Sequence, residues 1–458
     1  MNSPSTFSPD LLQVFDRPGP RYTSYPTADR FHVGFGPSDA ALALAQRSNA
    51  APLSVYVHVP FCESVCYYCA CNKVITKHHE LAAEYLDALV VELELVTALL
   101  GPDLSLSQMH FGGGSPTFLS DAELRFVFEM LRRAFRFTQD AEISIEVDPR
   151  TVTPARLSHL RALGFSRLSF GVQDFDPVVQ QAVHRVQPFE DVRALMHSAR
   201  ELGFESINAD LIYGLPCQTP ESFHRTLRQI GSLRPDRIAL YGYAHLPQRF
   251  KPQRRIETGA LPDAVQRVAM LGDAIDGLTA AGYDYIGMDH FALHDDALAV
   301  ARRSGRLHRN FQGYSTQADT DLVGLGVSAI SRLGGNYYQN AKSLPEYYER
   351  VHSRELPVER GIASDADDLL RHDVIMALMC QGRLDFPAIE RAHRIDMRSY
   401  FADELDRMRP LELAGLVVLE PTAIQVTLAG WFLVRAVAMV FDRHLRRDPV
   451  AGRFSRLV

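Results

Sequence analysis

Residues 53–60, Leu53-Ser-Val-Tyr-Val-His-Val-Pro60, run almost directly into Cys62-Glu-Ser-Val-Cys66-Tyr-Tyr-Cys69-Ala-Cys71. The first stretch alternates apolar and polar residues and is stopped by a proline, which predicts a strand feeding a loop. The second places four of the chain's six cysteines within ten residues, spaced C-x3-C-x2-C-x-C. A thiol-rich loop at the C-terminal end of a first strand is the expectation around which the chain is organised.

Thiolates bind zinc, soft metals and iron-sulfur clusters, but a zinc knuckle usually pairs two C-x2-C clips a dozen or more residues apart. Only Cys217 and Cys380 remain elsewhere, so there is no second clip. A disulfide framework fits poorly, because 458 residues can bury a large core and the rest of the chain is cysteine-poor. Iron-sulfur ligation is the favoured reading, with zinc and structural cysteines as the alternatives. Three thiols at C-x3-C-x2-C can hold three corners of a [4Fe-4S] cube and leave the fourth iron open. The spacing resembles the signature of the radical S-adenosylmethionine superfamily. That resemblance makes Cys62, Cys66 and Cys69 the ligands, leaves Cys71 out, and has the methionyl amine and carboxylate chelate the open iron.

Downstream the sequence keeps alternating. Residues 80–100 have helical spacing with Gly101-Pro102 as a stop signal. Strands are predicted at 108–112, 142–147, 167–172, 206–212, 237–243 and 283–288, and helices at 121–135, 154–163, 189–202, 220–233 and 264–281. Repeats of this kind close into a barrel or open into a doubly wound sheet, and a partial (β/α)6-type, TIM-like barrel is the expected fold. In such a barrel chemistry gathers at the C-terminal strand ends. The successive ends here carry Cys62 to Cys71, Gly112-Gly-Gly-Ser115, Glu146, Gln173, Asp210 and Tyr243-Ala-His245. Singly, a glycine triplet reads as a turn and a strand-end carboxylate as a cap. In order, they offer backbone amides, carboxylates for ribose hydroxyls or an amine, and, with Arg185, a partner for a carboxylate.

Composition bounds the class: 46% hydrophobic, 22% charged, net charge -7. Residues 1–10 are polar and Pro/Ser-rich, which predicts no secretory signal, and no apolar run is long enough to predict a membrane span. A cytoplasmic protein is expected, without the basic face of a nucleic-acid binder. Residues 17–27 hold three prolines and read either as an extended surface arm or as a segment lying over a site. The expected division is an arm (1–50), the partial barrel (51–364) and a mostly helical C-terminal domain (365–458). In that last region helices are expected at 369–379, 386–392, 400–408 and 430–445, with a hairpin around Pro421. A cover over the open barrel is the role expected of it.

Ordered motifs tie the chain to one family. They are PGPRYTSYPT (18–27), YVHVPFCESVCYYCACNKV (56–74), FGGGSPT (111–117), ISIEVDPR (143–150), GVQDF (171–175), DLIYGLP (210–216), YAHLP (243–247), GMDHFA (287–292) and HRNFQGYSTQADTDLVGLGVSAIS (308–331). In these the chain resembles the oxygen-independent coproporphyrinogen III oxidase family along nearly its full length. The resemblance implies a [4Fe-4S] cluster and two S-adenosylmethionine molecules. The cluster-bound one would touch Tyr56, Gly113, Glu146 and Ile330. The second would touch Tyr68, Gly114, Ser115, Gln173, Arg185, Asp210 and Ala244. Tyr68 stands where phenylalanine is common and Ser115 where threonine is common; each keeps the ring or the hydroxyl. Cys71 and Tyr68 are the candidate catalytic residues.

The implied reaction removes two propionate carboxyls from coproporphyrinogen III, giving protoporphyrinogen IX for heme biosynthesis. Arg21, Lys73 and Arg309 are candidate partners for the substrate's carboxylates. A low-potential donor such as flavodoxin or ferredoxin and a monomeric state are also expected. A heme-binding chaperone and a heme-opening radical methyltransferase are the alternatives. The chaperone typically lacks the 21–27 arm and the Cys71-Asn-Lys73 continuation, both present here.

Overall fold

The computed structural model describes residues 14–15, 18–48, 51–317 and 320–447, so the expectation for residues 1–10 lies outside the described residues. Six strands pair side by side and parallel in chain order: β1 (Leu53–Val59), β2 (Ser105–Gly113), β3 (Arg136–Val147), β4 (Arg167–Gln173), β5 (Ser206–Tyr213) and β6 (Arg237–Gly242). Between them run α1 (Leu81–Leu100), α2 (Asp121–Ala134), α3 (Pro154–Leu163), α4 (Phe189–Glu201) and α5 (Pro220–Leu233). Local chemistry fixes where these helices start: Ser120 and Thr219 each close a capping box, and Thr153 accepts from the Arg156 amide just ahead of Pro154.

Period-two alternation separates two faces of the sheet. On β4, Leu168, Phe170 and Val172 are buried in the apolar core, while Ser169, Gly171 and Gln173 line an internal cavity. On β5, Ile207, Ala209 and Leu211 are buried, while Ser206, Asn208 and Asp210 line the same cavity. A closed (β/α)8 barrel fills its lumen with bulky branched side chains. Here polar residues occupy those positions, and a cavity of about 490 Å³ remains. Its far end is walled by ion pairs, Arg167 to Glu142 at 3.0 Å and Arg237 to Asp296 at 2.9 Å.

Three expectations are corrected. The strand expected at 283–288 forms as β7 (Tyr283–Gly287) but is not β6's neighbour: β8 (His290–Leu293) folds back antiparallel and inserts between them. A tight turn with Met288 at φ 48° returns the chain at once, and an antiparallel neighbour needs no crossover helix. On the other edge, β9 (Asp321–Leu325) pairs parallel with β1, and β10 (Ile330–Leu333), β11 (Asn336–Asn340) and β12 (Val358–Ala363) extend the sheet antiparallel to a total of twelve strands. None of these four was expected as a strand. Finally, the helix expected at 430–445 is broken into Leu428–Phe432, Val434–Ala438, Met439–Phe441 and Arg443–Arg447. Nearly every residue from Trp431 to Phe441 is buried, so packing on all sides shapes this segment, and no exposed helical face is kept.

The C-terminal region is otherwise mostly helical, with a hairpin of Val417–Leu419 and Ala423–Val426. Residues 19–27 are buried or half-buried and do not form a loose surface arm. Tyr22 and Tyr25 are buried, Tyr22 donates to Asp442 at 3.0 Å, and Arg435 donates to the carbonyls of Gly19 and, at 2.9 Å, Pro20. Residues 19–22 and residues 435–442 therefore clasp each other, and Arg21 between them pairs with Asp289. No helix among the described residues is long and apolar enough to cross a membrane.

Candidate active site

The cavity opens at the C-terminal ends of the parallel strands, where β1 delivers the cysteine loop. Backbone bonds fasten the neighbouring glycine turn to it: Gly114 N–H donates to Val59 O and Ser115 N–H to Phe61 O, both at 2.8 Å. Gly113 sits at φ +116°, and a Cβ there would lie 2.7 Å from the His58 ring, so only glycine fits. Its amide donates to Glu146 Oε2 at 3.1 Å.

Four further groups converge from β4, β5 and the loops. Gln173, at φ +66°, holds a backbone conformation costly for a side-chain-bearing residue, and its Oε1 is buried without a partner. Arg185 donates to Gly171 O at 2.7 Å, Asp148 Oδ2 at 3.2 Å and Cys66 Sγ at 3.4 Å, while its Nε is left unpaired. Arg150 reaches the same sulfur at 3.5 Å. Burial works against the Asp148 carboxylate, but the hydrogen bonds from Arg150 and the charge of Arg185 outweigh it and hold its pKa below the usual range.

The carboxylate inside the lumen behaves oppositely. Asp210 accepts from Ser169 at 3.0 Å and Asn208 at 2.9 Å, yet burial and then the charge of Glu146 push it up to about 6. It stands three residues before the end of its strand, inside the lumen and not at the strand end as expected. Among the thiols, burial pushes Cys62 up to about 12, whereas a hydrogen bond shared with Cys71 lowers Cys69 to about 5.

Of the residues singled out from the sequence, Cys62, Cys66, Tyr68, Cys69, Cys71, Gly113, Gly114, Ser115, Glu146, Gln173, Arg185 and Asp210 all line this one cavity. Tyr56, Ala244 and Ile330 are not among its lining residues but adjoin ones that are. The Tyr56 ring stacks on His110, Ala244 O accepts from Gln253, and Ile330 abuts Gly324, the residue paired with Tyr56. Sequence reading gave no role to Asp148, Arg150 or His110. The Asp-Pro-Arg that directly follows β3 was the available signal for the first two. The three candidate substrate cations are not together. Lys73 reaches Cys69 O at 3.1 Å, whereas Arg309 donates to Arg21 O at 3.3 Å and lies over the Tyr314 ring.

Comparison with known proteins matches the Radical SAM superfamily over residues 56–230 and the HemN C-terminal domain over 365–433. The chain is 50% identical over 449 residues to the oxygen-independent coproporphyrinogen III oxidase of Salmonella typhimurium, covering 98% of each protein. The chain belongs to the oxygen-independent coproporphyrinogen III oxidase family. The family member from Escherichia coli is also 50% identical, and that from Pseudomonas aeruginosa 48%, each with 98% of both chains covered. The solved structure described as coproporphyrinogen III oxidase (HemN) from Escherichia coli, a radical SAM enzyme, superposes with a TM-score of 0.92 at 48% identity, covering 96% of this chain and 99% of that one.

The radical SAM superfamily uses a [4Fe-4S] cluster and S-adenosylmethionine, and the residues present suit both. No three Cys, His, Asp or Glu side chains among the described residues converge on a single point as a lone ion's ligands do. In a cube each thiolate takes a different iron, so its ligands stand apart around a shared cavity, as Cys62, Cys66 and Cys69 do. For the nucleoside cofactor, the unpaired Arg185 Nε is a buried donor and Gln173 Oε1 a buried acceptor on the cavity wall.

Proposed function

We infer that this chain carries out the oxygen-independent oxidative decarboxylation of two propionates of coproporphyrinogen III, yielding protoporphyrinogen IX. The observation that carries this reading is the polar lumen that joins the three-cysteine loop to Glu146, Gln173, Arg185 and Asp210 in a chain matching its relatives end to end. When bound, the reduced cluster and S-adenosylmethionine supply a 5′-deoxyadenosyl radical that takes hydrogen from the propionate carbon next to the pyrrole ring. Each propionate radical would then pass one electron to an external one-electron acceptor, release CO2 and become a vinyl group.

The chain's own residues bind, orient and exclude water. Cys62, Cys66 and Cys69 hold the cluster, and Arg150 and Arg185 hydrogen-bond the Cys66 sulfur, a contact that tunes cluster potential. Tyr56, Gly113, Glu146 and Ile330 hold the cluster-side S-adenosylmethionine. Tyr68, Gly114, Ser115, Gln173, Arg185, Asp210 and Ala244 hold a second. Tyr68 and Cys71 are the candidates for a direct part in the chemistry. Arg21 and Arg309 lie against Tyr241 and Tyr314 of the cavity wall and are the cations offered to the substrate's carboxylates. Lys73 instead braces the cysteine loop.

The working division is an arm to residue 50, the barrel to 364 and the C-terminal domain beyond, in a cytoplasmic monomer served by flavodoxin or ferredoxin. Deuterium placed on the propionate carbon next to the ring must appear in 5′-deoxyadenosine, with release of CO2, when the reconstituted, reduced protein is incubated anaerobically. Divinyl product forming while deuterium stays on the porphyrinogen would overturn the reading. A chaperone releases no CO2, and a methyltransferase methylates its substrate.

A further inference from the structure

The chain carries a net charge of -7, yet residues 248–255, Gln-Arg-Phe-Lys-Pro-Gln-Arg-Arg, hold four cations and no acid. Arg249, Lys251, Arg254 and Arg255 are all exposed. Lys251, Arg254 and Arg255 form no ion pair with a carboxylate among the described residues. The segment is packed directly on the cysteine loop. Gln253 is buried and donates to Tyr68 O at 2.9 Å, Arg255 Nη1 donates to the Tyr67 hydroxyl at 3.4 Å, and its guanidinium lies 5.2 Å over the Tyr67 ring. Tyr67 follows Cys66 in the chain and is stacked on its other side by exposed His184, centroids 5.1 Å apart. Two residues from His184, Val186 is 57% exposed, a large value for a valine so close to a functional loop.

An apolar, aromatic centre of Val186 and Tyr67 with a cationic border has the composition of a protein-binding surface. Its place one residue from a cysteine ligand gives it a use. The radical reaction needs single electrons delivered to the cluster from outside. A carrier with an acidic face would be steered by these clustered cations toward the cysteine loop.

We propose that the surface formed by Lys251, Arg254, Arg255, Tyr67, His184 and Val186 is the docking site for an acidic, low-potential one-electron carrier protein, which is oxidised by one electron as the cluster is reduced. The proposal rests on the radical reading above and adds where the donor lands and what it is made of.

The test uses the full-length reconstituted protein, with a flavodoxin as probe and the basic carrier cytochrome c as control. Binding is followed by anisotropy of the labelled carrier at about 50 mM salt. The parent should bind flavodoxin and not cytochrome c. The double variant Lys251→Glu/Arg254→Glu should weaken flavodoxin binding about tenfold or more, a difference that shrinks at about 0.5 M salt. Formation of 5′-deoxyadenosine driven by dithionite, which needs no docking, should match the parent, while the rate at limiting flavodoxin should fall about tenfold. The proposal is overturned if the variant binds flavodoxin as tightly as the parent, or if the parent prefers cytochrome c. If charge-dependent flavodoxin binding is present but dithionite drives no cleavage in either protein, the docking surface stands and the radical reading fails.

Discussion

The two faces of the six-stranded parallel sheet are built from the same strands and do opposite jobs. Along β4, Phe170 and its outward neighbours are sealed between sheet and helices, whereas Ser169 and Gln173 one residue away look into an open lumen. Stability comes from the outer face, because only there is apolar area removed from water. The inner face contributes little packing, so its polar residues are available for ligands and carry charges that burial disfavours.

Substitutions should separate the faces cleanly. The largest loss belongs to the loop: Cys62→Ser, Cys66→Ser or Cys69→Ser should each abolish the cluster and reduce 5′-deoxyadenosine formation to background, measured by iron and sulfide content and by chromatography. Next comes the outer face. Phe170→Ala should lower unfolding free energy by about 3–5 kcal/mol in urea titration, since a fully buried ring leaves a cavity the packed helices cannot close. A drop under about 1 kcal/mol would mean that the outer face is not the stabilising one.

Within the lumen, Asp210→Asn should raise the S-adenosylmethionine concentration needed for half-maximal turnover about tenfold and leave the cluster intact. Its effect on stability has a pH signature. Asp210 has a folded pKa of about 6, raised above its ordinary value of 3.8, so its contribution is present below about pH 4 and lost as pH rises through 6. The parent should therefore lose thermal stability relative to Asp210→Asn between pH 4 and 7. Equal pH profiles would show that the carboxylate is solvated and not held in the lumen. The smallest effect on the cluster is expected for Cys71→Ser, which should retain its iron. Loss of iron there would add a fourth thiolate and close the open coordination site.

Much of this molecule was legible because local rules and tertiary structure agree. Helices at Pro154–Leu163 and Pro220–Leu233 fall where caps and periodicity put them, since Thr153 and Thr219 cap and proline starts each one. The cysteine spacing pointed to the cluster loop for a similar reason: ligands close in sequence need little help from the fold to meet. Ala244 and Tyr56 were different. They were singled out by resemblance alone and are not among the residues lining the cavity, while Arg150 and Asp148, unremarked in the sequence, line it near Cys66.

The sequence by itself determined the alternation of strands and helices and the thiol loop at the end of the first strand, because each depends on spacing of a few residues. Only the tertiary structure decided that β9 completes the sheet against β1, that β8 slips between β6 and β7, and that the last helix breaks into buried fragments. It alone brought Arg21 to Asp289 and Tyr22 to Asp442, partners 268 and 420 residues apart. Pairings at such separation are chosen by which surfaces remain to be covered once the local elements have packed, and no short window of sequence contains that information.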